Sequence, residues 1–339
     1  LYARYLIETA FPVAQAAELM AGEQSSGTFV RVHGETDELR ERHAARVESI
    51  RELEATGIPS LPGAGLPKGW AGPPVYRRAE VWLSWPLANL GLSLPNLLAT
   101  VAGNLFELKP FSGLRLVDVK LPEAFLEAYP GPRFGVTGTR RLAGVERLPL
   151  VGTIIKPSVG LSPEATAEMV RRLAEAGIDF IKDDELQSDG PACPFQQRVA
   201  AVMGVINDHA ERTGKKVMYA FNVTGEVEEM LRRHDQVAAA GGTCVMVSLN
   251  SVGLPALAYL RRHARLAIHG HRNGWGMYSR HPMLGMSYVA YQKFWRLAGV
   301  DHLHVNGVRN KFCEDDDSVI ASARECLSPM FPRLAGAAR

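Results

Sequence analysis

The second half of the chain alternates short apolar runs with amphipathic stretches, and this alternation limits the possible folds more than any other feature. The apolar runs have the length of strands and lie at residues 152–157, 178–183, 217–223, 244–249, 266–271 and 301–305. Helix-like stretches separate them, for example PEATAEMVRRLAEAG at residues 163–177. Such an alternation indicates parallel strands covered by helices.

Two architectures satisfy this pattern, an open doubly wound sheet and a closed barrel. No GxGxxG motif follows the first run, which argues against a dinucleotide-binding sheet. We therefore predict an α/β protein with a C-terminal TIM-type (β/α)8 barrel. The pattern provides about six strand–helix units, whereas a closed barrel has eight. The barrel is expected to be incomplete at its C-terminus or to close in an unusual way.

The first part of the chain lacks this rhythm. We predict an N-terminal α+β domain at residues 1–145 and the barrel domain at residues 146–339, since 339 residues exceed the usual size of one domain. Residues 58–74 are so rich in Pro and Gly that neither a helix nor a strand is expected there.

Composition limits the partners and the compartment. The 38 basic and 36 acidic side chains leave a net charge of +2, which gives no broad attraction for nucleic acid or for an anionic membrane surface. No apolar run approaches the roughly 20 residues that span a bilayer, and the four cysteines lack CxxC spacing. We expect a cytoplasmic protein with reduced thiols and a small anionic substrate, and no nucleic-acid or membrane partner.

Reactive side chains lie at the carboxyl ends of the predicted strands. The loops at the carboxyl ends of parallel barrel strands meet at one mouth, so these side chains are expected to converge. They are Lys156 at the end of the first strand, Lys182, Asp183, Asp184 and Glu185 at the end of the second, His269, His271 and Arg272 at the end of the fifth, and His302 and His304 at the end of the sixth.

The KDDE segment is a candidate metal site. Strand alternation points Lys182 and Asp184 inward and Asp183 away, and Glu185 turns inward as the strand ends. Two carboxylates favour Mg²⁺. An ammonium group cannot bind a cation, but a lysine that has reacted with CO₂ offers an anionic oxygen, and we hypothesise this for Lys182. The alternative is a charged strand end held by internal ion pairs.

Four further positions have both a functional and a structural interpretation. Within an apolar strand, Lys156 is expected to lose its charge through desolvation and to serve as a general base, although a surface cation is the alternative. His271 and His304 can face the mouth, or be core histidines. Arg272 offers a fork suited to phosphate, or is an exposed arginine.

From its first residues to about Lys311, the chain resembles the RuBisCO-like proteins, the non-carboxylating relatives of the large subunit of ribulose-bisphosphate carboxylase. GTIIKPSVGLSPE resembles the first barrel strand of the family, which implies that Lys156 abstracts a proton. GIDFIKDDE resembles the metal strand, which implies Mg²⁺ held by carbamylated Lys182, Asp184 and Glu185.

The resemblance extends to the phosphate end of the site. IHGHR resembles the strand with a catalytic histidine and a phosphate-gripping arginine, which implies these roles for His271 and Arg272. DHLHVNG resembles the next strand and implies that His304 lies near the same phosphate. Lys311 stands where the carboxylase keeps its loop lysine, and is therefore included as a catalytic candidate.

Two N-terminal segments also fit the family. GEQSSGTF implies that Glu23 and Thr28 bind substrate, and VAGNLF implies the same for Asn104. In the family these residues reach into the barrel of a neighbouring subunit. The resemblance therefore implies a homodimer with shared active sites.

Departures from the carboxylase argue against CO₂ fixation. Ser158 replaces a second lysine, Trp275 replaces a histidine, and Phe29 replaces a tryptophan of the phosphate loop. Fixation needs several groups poised together, so their loss is expected to spare enolisation and abolish carboxylation.

The resulting prediction is Mg²⁺-dependent enolisation of a phosphorylated ketose or keto-acid sugar, by an enzyme of enolase, isomerase or decarboxylase type. Two alternatives stay open: a catalytically silent sensor or scaffold that binds a sugar phosphate, and a true ribulose-bisphosphate carboxylase.

Overall fold

The computed structural model describes residues 1–27 and 32–331. Contacts divide the chain into two compact units. The first comprises Leu1–Ala128, Trp275–Lys293 and Lys311–Glu314, and the second comprises Tyr129–Gly274, Phe294–Asn310 and the described residues from Asp315 onward. The predicted boundary between residues 145 and 146 falls inside the second unit of this division.

The elements up to residue 128 are β1 (Tyr2–Thr9), α1 (Val13–Glu23), α2 (Asp37–His43), β2 (Arg46–Thr56), β3 (Tyr76–Ser84), α3 (Leu94–Ala102), β4 (Phe111–Lys120) and α4 (Phe125–Ala128). Short 3₁₀ turns occupy Leu87–Asn89 and Asn104–Glu107. Neither a helix nor a strand forms between β2 and β3, as the Pro- and Gly-rich sequence of residues 58–74 predicts.

The later elements are α5 (Gly135–Ala143), β5 (Gly152–Ile154), α6 (Pro163–Glu175), β6 (Phe180–Lys182), α7 (Phe195–Thr213), β7 (Met218–Asn222), α8 (Val227–Ala239), β8 (Cys244–Ser248), α9 (Leu249–His263), β9 (Ala267–His271), α10 (Gly276–Ser279), β10 (Leu284–Met286), α11 (Tyr288–Ala298), β11 (His302–Leu303) and α12 (Asp316–Leu327). Each of the six predicted apolar runs contains a strand.

The first unit is built on a five-stranded sheet of order β10-β4-β1-β3-β2. Its central strand, β1, pairs antiparallel with β3 and with β4, and β10 adds in parallel to β4. Alternate residues of β1, namely Ala3, Tyr5 and Ile7, are fully buried, which is the pattern of a strand with one face on a core. This unit has the predicted α+β character.

The second unit contains a six-stranded parallel sheet of order β11-β9-β8-β7-β6-β5. All five residues of β7, of β8 and of β9 are buried, which is typical of parallel strands covered on both faces. The sheet and its helices form an incomplete barrel, which confirms the predicted fold class.

Within the described parts of the chain, no helix is long and apolar enough to span a membrane.

Candidate active site

The register of the parallel sheet brings Lys156 and Asp184 together. β5 pairs with β6 so that Ile154 lies opposite Lys182, and the chain continues two residues past each of these positions. The Lys156 Nζ donates a hydrogen bond to Asp184 Oδ2 at 2.5 Å. The amine that is predicted to move a proton therefore contacts a carboxylate that is predicted to hold the metal.

The predicted surroundings of Lys156 need a correction. β5 ends at Ile154, so Lys156 lies in the loop after the strand, and its side chain is 58% exposed. The expectation that Lys156 is desolvated within an apolar strand is therefore wrong. Its position depends on its contacts with Asp184 and with Ser158, whose Oγ lies 2.9 Å from the Lys156 Nζ.

Lys182 is buried at the end of β6, with 6% of the residue exposed. Its Nζ donates to the backbone oxygen of Asp183 at 3.0 Å and lies 3.6 Å from the Met246 Sδ. Burial lowers the pKa of Lys182, and this effect outweighs the opposing attraction of Glu185 and Asp184. Because only a neutral amine reacts with CO₂, this environment favours formation of a carbamate.

The two candidate metal carboxylates differ in exposure. The Asp184 side chain is 1% exposed, whereas that of Glu185 is 29% exposed and its Oε2 lies 3.1 Å from the His271 Nε2. Burial alone would raise the pKa of Asp184, but hydrogen bonds from Lys156, from the Leu186 N–H and from Ser158 lower it below its usual range. Asp184 therefore stays ionised, as a metal ligand must be.

Asp183 contacts a different set of residues, as the predicted alternation requires. It forms a fully buried ion pair with Arg198 at 3.2 Å, and its carboxylate accepts from the Tyr219 hydroxyl at 2.5 Å. Arg198 also donates to the backbone oxygens of Gln187 and Ser188 in the loop after β6. Asp183 and Arg198 thus anchor the segment that follows the candidate metal ligands.

His271 and His304 stack on each other, with ring centroids 4.9 Å apart and planes inclined by 22°. Their Nδ1 atoms are 3.0 Å apart, so one ring must carry its proton on Nδ1 and the other must accept it. Burial lowers the pKa of His271, and it lowers the pKa of His304 to about 3. Both rings are therefore neutral near pH 7.

Arg272 is buried, with 7% of the residue exposed, so the interpretation as an exposed arginine is wrong. Its Nε donates to the backbone oxygen of His304 at 2.8 Å, and its Nη2 donates to the side-chain oxygen of Asn306. These bonds orient the guanidinium group. Asn306 was not among the sequence-predicted site residues, because an Asn before a Gly usually signals only a turn.

A cavity of about 370 Å³ lies in the second unit and borders two residues of the candidate site, Lys182 and His304. Its polar lining includes Lys182, His269, His302 and His304, and Phe180 lies on its apolar wall. The candidate site therefore adjoins a recess rather than a filled core.

The remaining predicted site residues belong to the first unit or are not described. Glu23 is the last residue of α1, and Asn104 is exposed at the start of a 3₁₀ turn. Lys311 is exposed, and its Nζ lies 5.3 Å from the ring centroid of Phe312. Thr28 lies outside the described residues. The predicted roles of these four residues stay predictions.

A second cluster, His234, Asp235 and His263, offers ligand atoms within 4.8 Å of one another. The His234 Nε2 accepts from the backbone N–H groups of Arg265 and Leu266, so the proton of the neutral ring is on Nδ1. That Nδ1 lies 3.0 Å from an Asp235 oxygen and has no lone pair for a metal. We therefore interpret this cluster as a structural contact between α8 and α9.

Fold and site together define an α/β-barrel protein with a lysine–carboxylate centre at the carboxyl ends of its strands. Residues 135–332 match the ribulose bisphosphate carboxylase large chain, catalytic domain, and residues 76–125 match the N-terminal domain of the same chain.

Individual relatives agree with these matches. The chain is 60% identical over 329 residues to the 3-oxo-isoapionate-4-phosphate transcarboxylase/hydrolase of Xanthobacter autotrophicus, covering 97% of this chain and 78% of the relative. It is 46% identical over 328 residues to the 3-oxo-isoapionate-4-phosphate decarboxylase of Rhizobium etli, covering 96% and 77%. The crystal structure of a rubisco-like protein from Burkholderia fungorum superposes with a TM-score of 0.92 at 48% identity, covering 99% of this chain and 80% of that one.

The chain belongs to the ribulose bisphosphate carboxylase large-chain family, in its RuBisCO-like branch. The resemblance that the strand-end motifs indicate is thereby confirmed.

Proposed function

We propose that this protein is a Mg²⁺-dependent enzyme that forms and protonates the enolate of a phosphorylated 3-keto-acid sugar, with loss of its carboxyl group and without net CO₂ fixation. The contact that carries the proposal joins the Lys156 Nζ to Asp184 Oδ2 at 2.5 Å. In this contact, an amine that is able to transfer a proton touches the carboxylate of a candidate metal ligand. The names of two relatives, a transcarboxylase/hydrolase and a decarboxylase of 3-oxo-isoapionate 4-phosphate, support this substrate class.

The donor set fits Mg²⁺. Asp184 and Glu185 offer hard carboxylate oxygens, and carbamylation of the buried Lys182, whose pKa is lowered, would add a third anionic oxygen. Bound there, Mg²⁺ would supply a Lewis acid that stabilises negative charge on the ketone oxygen of the substrate.

The chain's own residues account for the remaining steps. A 3-keto acid that loses CO₂ leaves an enolate, and Lys156 delivers a proton to its carbon; the same lysine removes that proton in the reverse direction. Arg272, oriented by His304 and Asn306, grips the substrate phosphate together with the His304 ring. To His271, which is neutral near pH 7, we assign the exchange of a proton with a substrate hydroxyl.

We also propose that the enzyme acts in the cytoplasm as a homodimer with shared active sites. Glu23, Thr28 and Asn104 of one subunit contact the substrate held by the barrel of the other, and Lys311 is a further catalytic candidate. The family resemblance supports this arrangement.

The test uses 3-oxo-isoapionate 4-phosphate in D₂O with Mg²⁺ and bicarbonate, followed by NMR. We expect release of CO₂ and one deuterium on the carbon that carried it. Lys156→Met is expected to lower the rate by about 10²–10⁴-fold, whereas Lys216→Met, at another lysine of the second unit, leaves it unchanged.

Three results distinguish the alternatives. Full activity of Lys156→Met contradicts the assignment of Lys156 as the residue that protonates the enolate. Binding of 3-oxo-isoapionate 4-phosphate and other keto-acid phosphates without deuterium incorporation indicates a sensor or scaffold. Entry of labelled bicarbonate into an acid-stable product from ribulose bisphosphate indicates a carboxylase.

A further inference from the structure

One hydroxyl group lies between the proposed base and a proposed metal ligand. The Lys156 Nζ donates to the Ser158 Oγ at 2.9 Å and to Asp184 Oδ2 at 2.5 Å. Ser158 also acts on the Asp184 side chain, whose pKa it lowers. The three side chains thus form a ring of interacting groups, with two hydrogen bonds donated by Lys156.

The direction of each bond in this ring follows from the groups involved. A lysine ammonium only donates and an ionised carboxylate only accepts, whereas a serine hydroxyl has one proton and two lone pairs. Ser158 therefore accepts from Lys156, and its own proton is free to turn toward Asp184. No other side chain of this ring can do both.

Lys156 needs such a partner because its side chain is not held by packing. It is 58% exposed, and a free lysine side chain samples many rotamers. Asp184 cannot be its only anchor, because the proposed function also requires this carboxylate to bind a cation. A neutral hydroxyl keeps its contact with the amine whatever the carboxylate binds.

We propose that Ser158 is a positioning residue that holds the Lys156 amine at the reacting carbon and orients the Asp184 carboxylate beside it. The inference rests on the proposed function for the identity of the base, but the ring itself is a property of the chain alone. It assigns a role to one of the positions at which the sequence departs from the carboxylase.

The first test measures the amine without any substrate. Isotopic acetic anhydride is used to trace-label three proteins, namely wild type, Ser158→Ala and Ser158→Thr, with and without Mg²⁺ and bicarbonate. Mass spectrometry then compares the acetylation of Lys156 with that of Lys216 in each protein. Ser158→Ala is expected to raise Lys156 labelling several-fold when Mg²⁺ is present, because the released amine becomes accessible. Ser158→Thr retains a hydroxyl and is expected to label like wild type.

The second test is kinetic, with 3-oxo-isoapionate 4-phosphate as substrate. Ser158→Ala is expected to lower kcat by about tenfold with little change in KM, since misplacing a reacting group costs rate rather than binding. Ser158→Thr is expected to recover most of kcat. A merely structural serine would not give recovery by threonine together with a constant KM.

The outcomes separate this inference from the proposed function. Equal Lys156 labelling in wild type and Ser158→Ala, or a defect confined to KM, overturns the role of Ser158. Labelling of Lys156 that rises in Ser158→Ala and returns to the wild-type level in Ser158→Thr supports the role of Ser158, even if the wild type converts no keto-acid phosphate. A lack of turnover by the wild type refutes only the proposed function.

Discussion

Neighbouring residues of the KDDE segment have different surroundings because a strand turns alternate side chains to opposite faces. Asp184 contacts Lys156, whereas Asp183 contacts Arg198 and Tyr219. Strand periodicity was sufficient to predict this difference. It could not predict Arg198 as the partner, since an arginine in an amphipathic helix usually faces solvent.

The environment of Lys156 could not be read from the sequence either. Its apolar neighbours suggested a buried strand position, but the strand ends two residues earlier at Ile154. Strand ends are set by hydrogen bonding between neighbouring strands, which a single sequence does not display.

At the same scale, the buried His302 is expected to make the folded protein less stable in acid. Burial lowers the pKa of His302 from 6.5 to about 4. Between pH 6.5 and 4, the unfolded chain binds a proton at His302 that the folded protein does not bind. The contribution of His302 to the free energy of unfolding is therefore complete above pH 6.5 and is lost as the pH falls toward 4. The total is about 3 kcal/mol.

Urea denaturation of wild type and His302→Gln over this pH range measures the effect. The variant cannot titrate, so its free energy of unfolding should fall less steeply between pH 6.5 and 4. Parallel pH profiles would show that His302 does not contribute.

At the scale of elements, the strand–helix alternation predicted all six strands of the parallel sheet. It did not predict that β10, only three residues long, joins the sheet of the first unit beside β4. Three residues are too few to display a periodicity, and their partner strand is distant in the sequence. For the same reason, the sequence did not predict that the segment containing β10, Trp275–Lys293, belongs to the first compact unit.

The anchoring of α7 to the loop after β6 gives a prediction for stability. Arg198 in α7 and Asp183 are both fully buried, so Arg198→Met leaves an unpaired buried carboxylate and is expected to cost about 3–5 kcal/mol. Arg212→Met, which removes an exposed pair with Asp208 near the end of the same helix, is expected to cost less than about 1 kcal/mol.

Chemical denaturation of both variants provides the measurement. Similar destabilisation by the two substitutions would mean that the buried pair is not an anchor.

At the scale of the whole molecule, the proposed sharing of active sites predicts complementation between inactive variants. Lys156→Met removes a residue of the second unit, and Asn104→Ala removes one of the first. In a dimer of one subunit of each kind, one site keeps both residues and the other loses both. Heterodimers purified through two different tags are therefore expected to have about half of wild-type activity.

Heterodimers of Lys156→Met and Asp184→Ala are the matched control, because both residues belong to the second unit and neither site is intact. Equal inactivity of the two heterodimers would contradict sites built from two subunits.

The most direct measurement of the whole account is anomalous diffraction from crystals grown with Mn²⁺ in place of Mg²⁺ and with bicarbonate. We predict one strong peak at bonding distance from Asp184, Glu185 and a carbamate on Lys182, and its loss in Lys182→Ala. A peak elsewhere, or no peak at these three residues, would contradict the metal site on which the proposed enolisation depends.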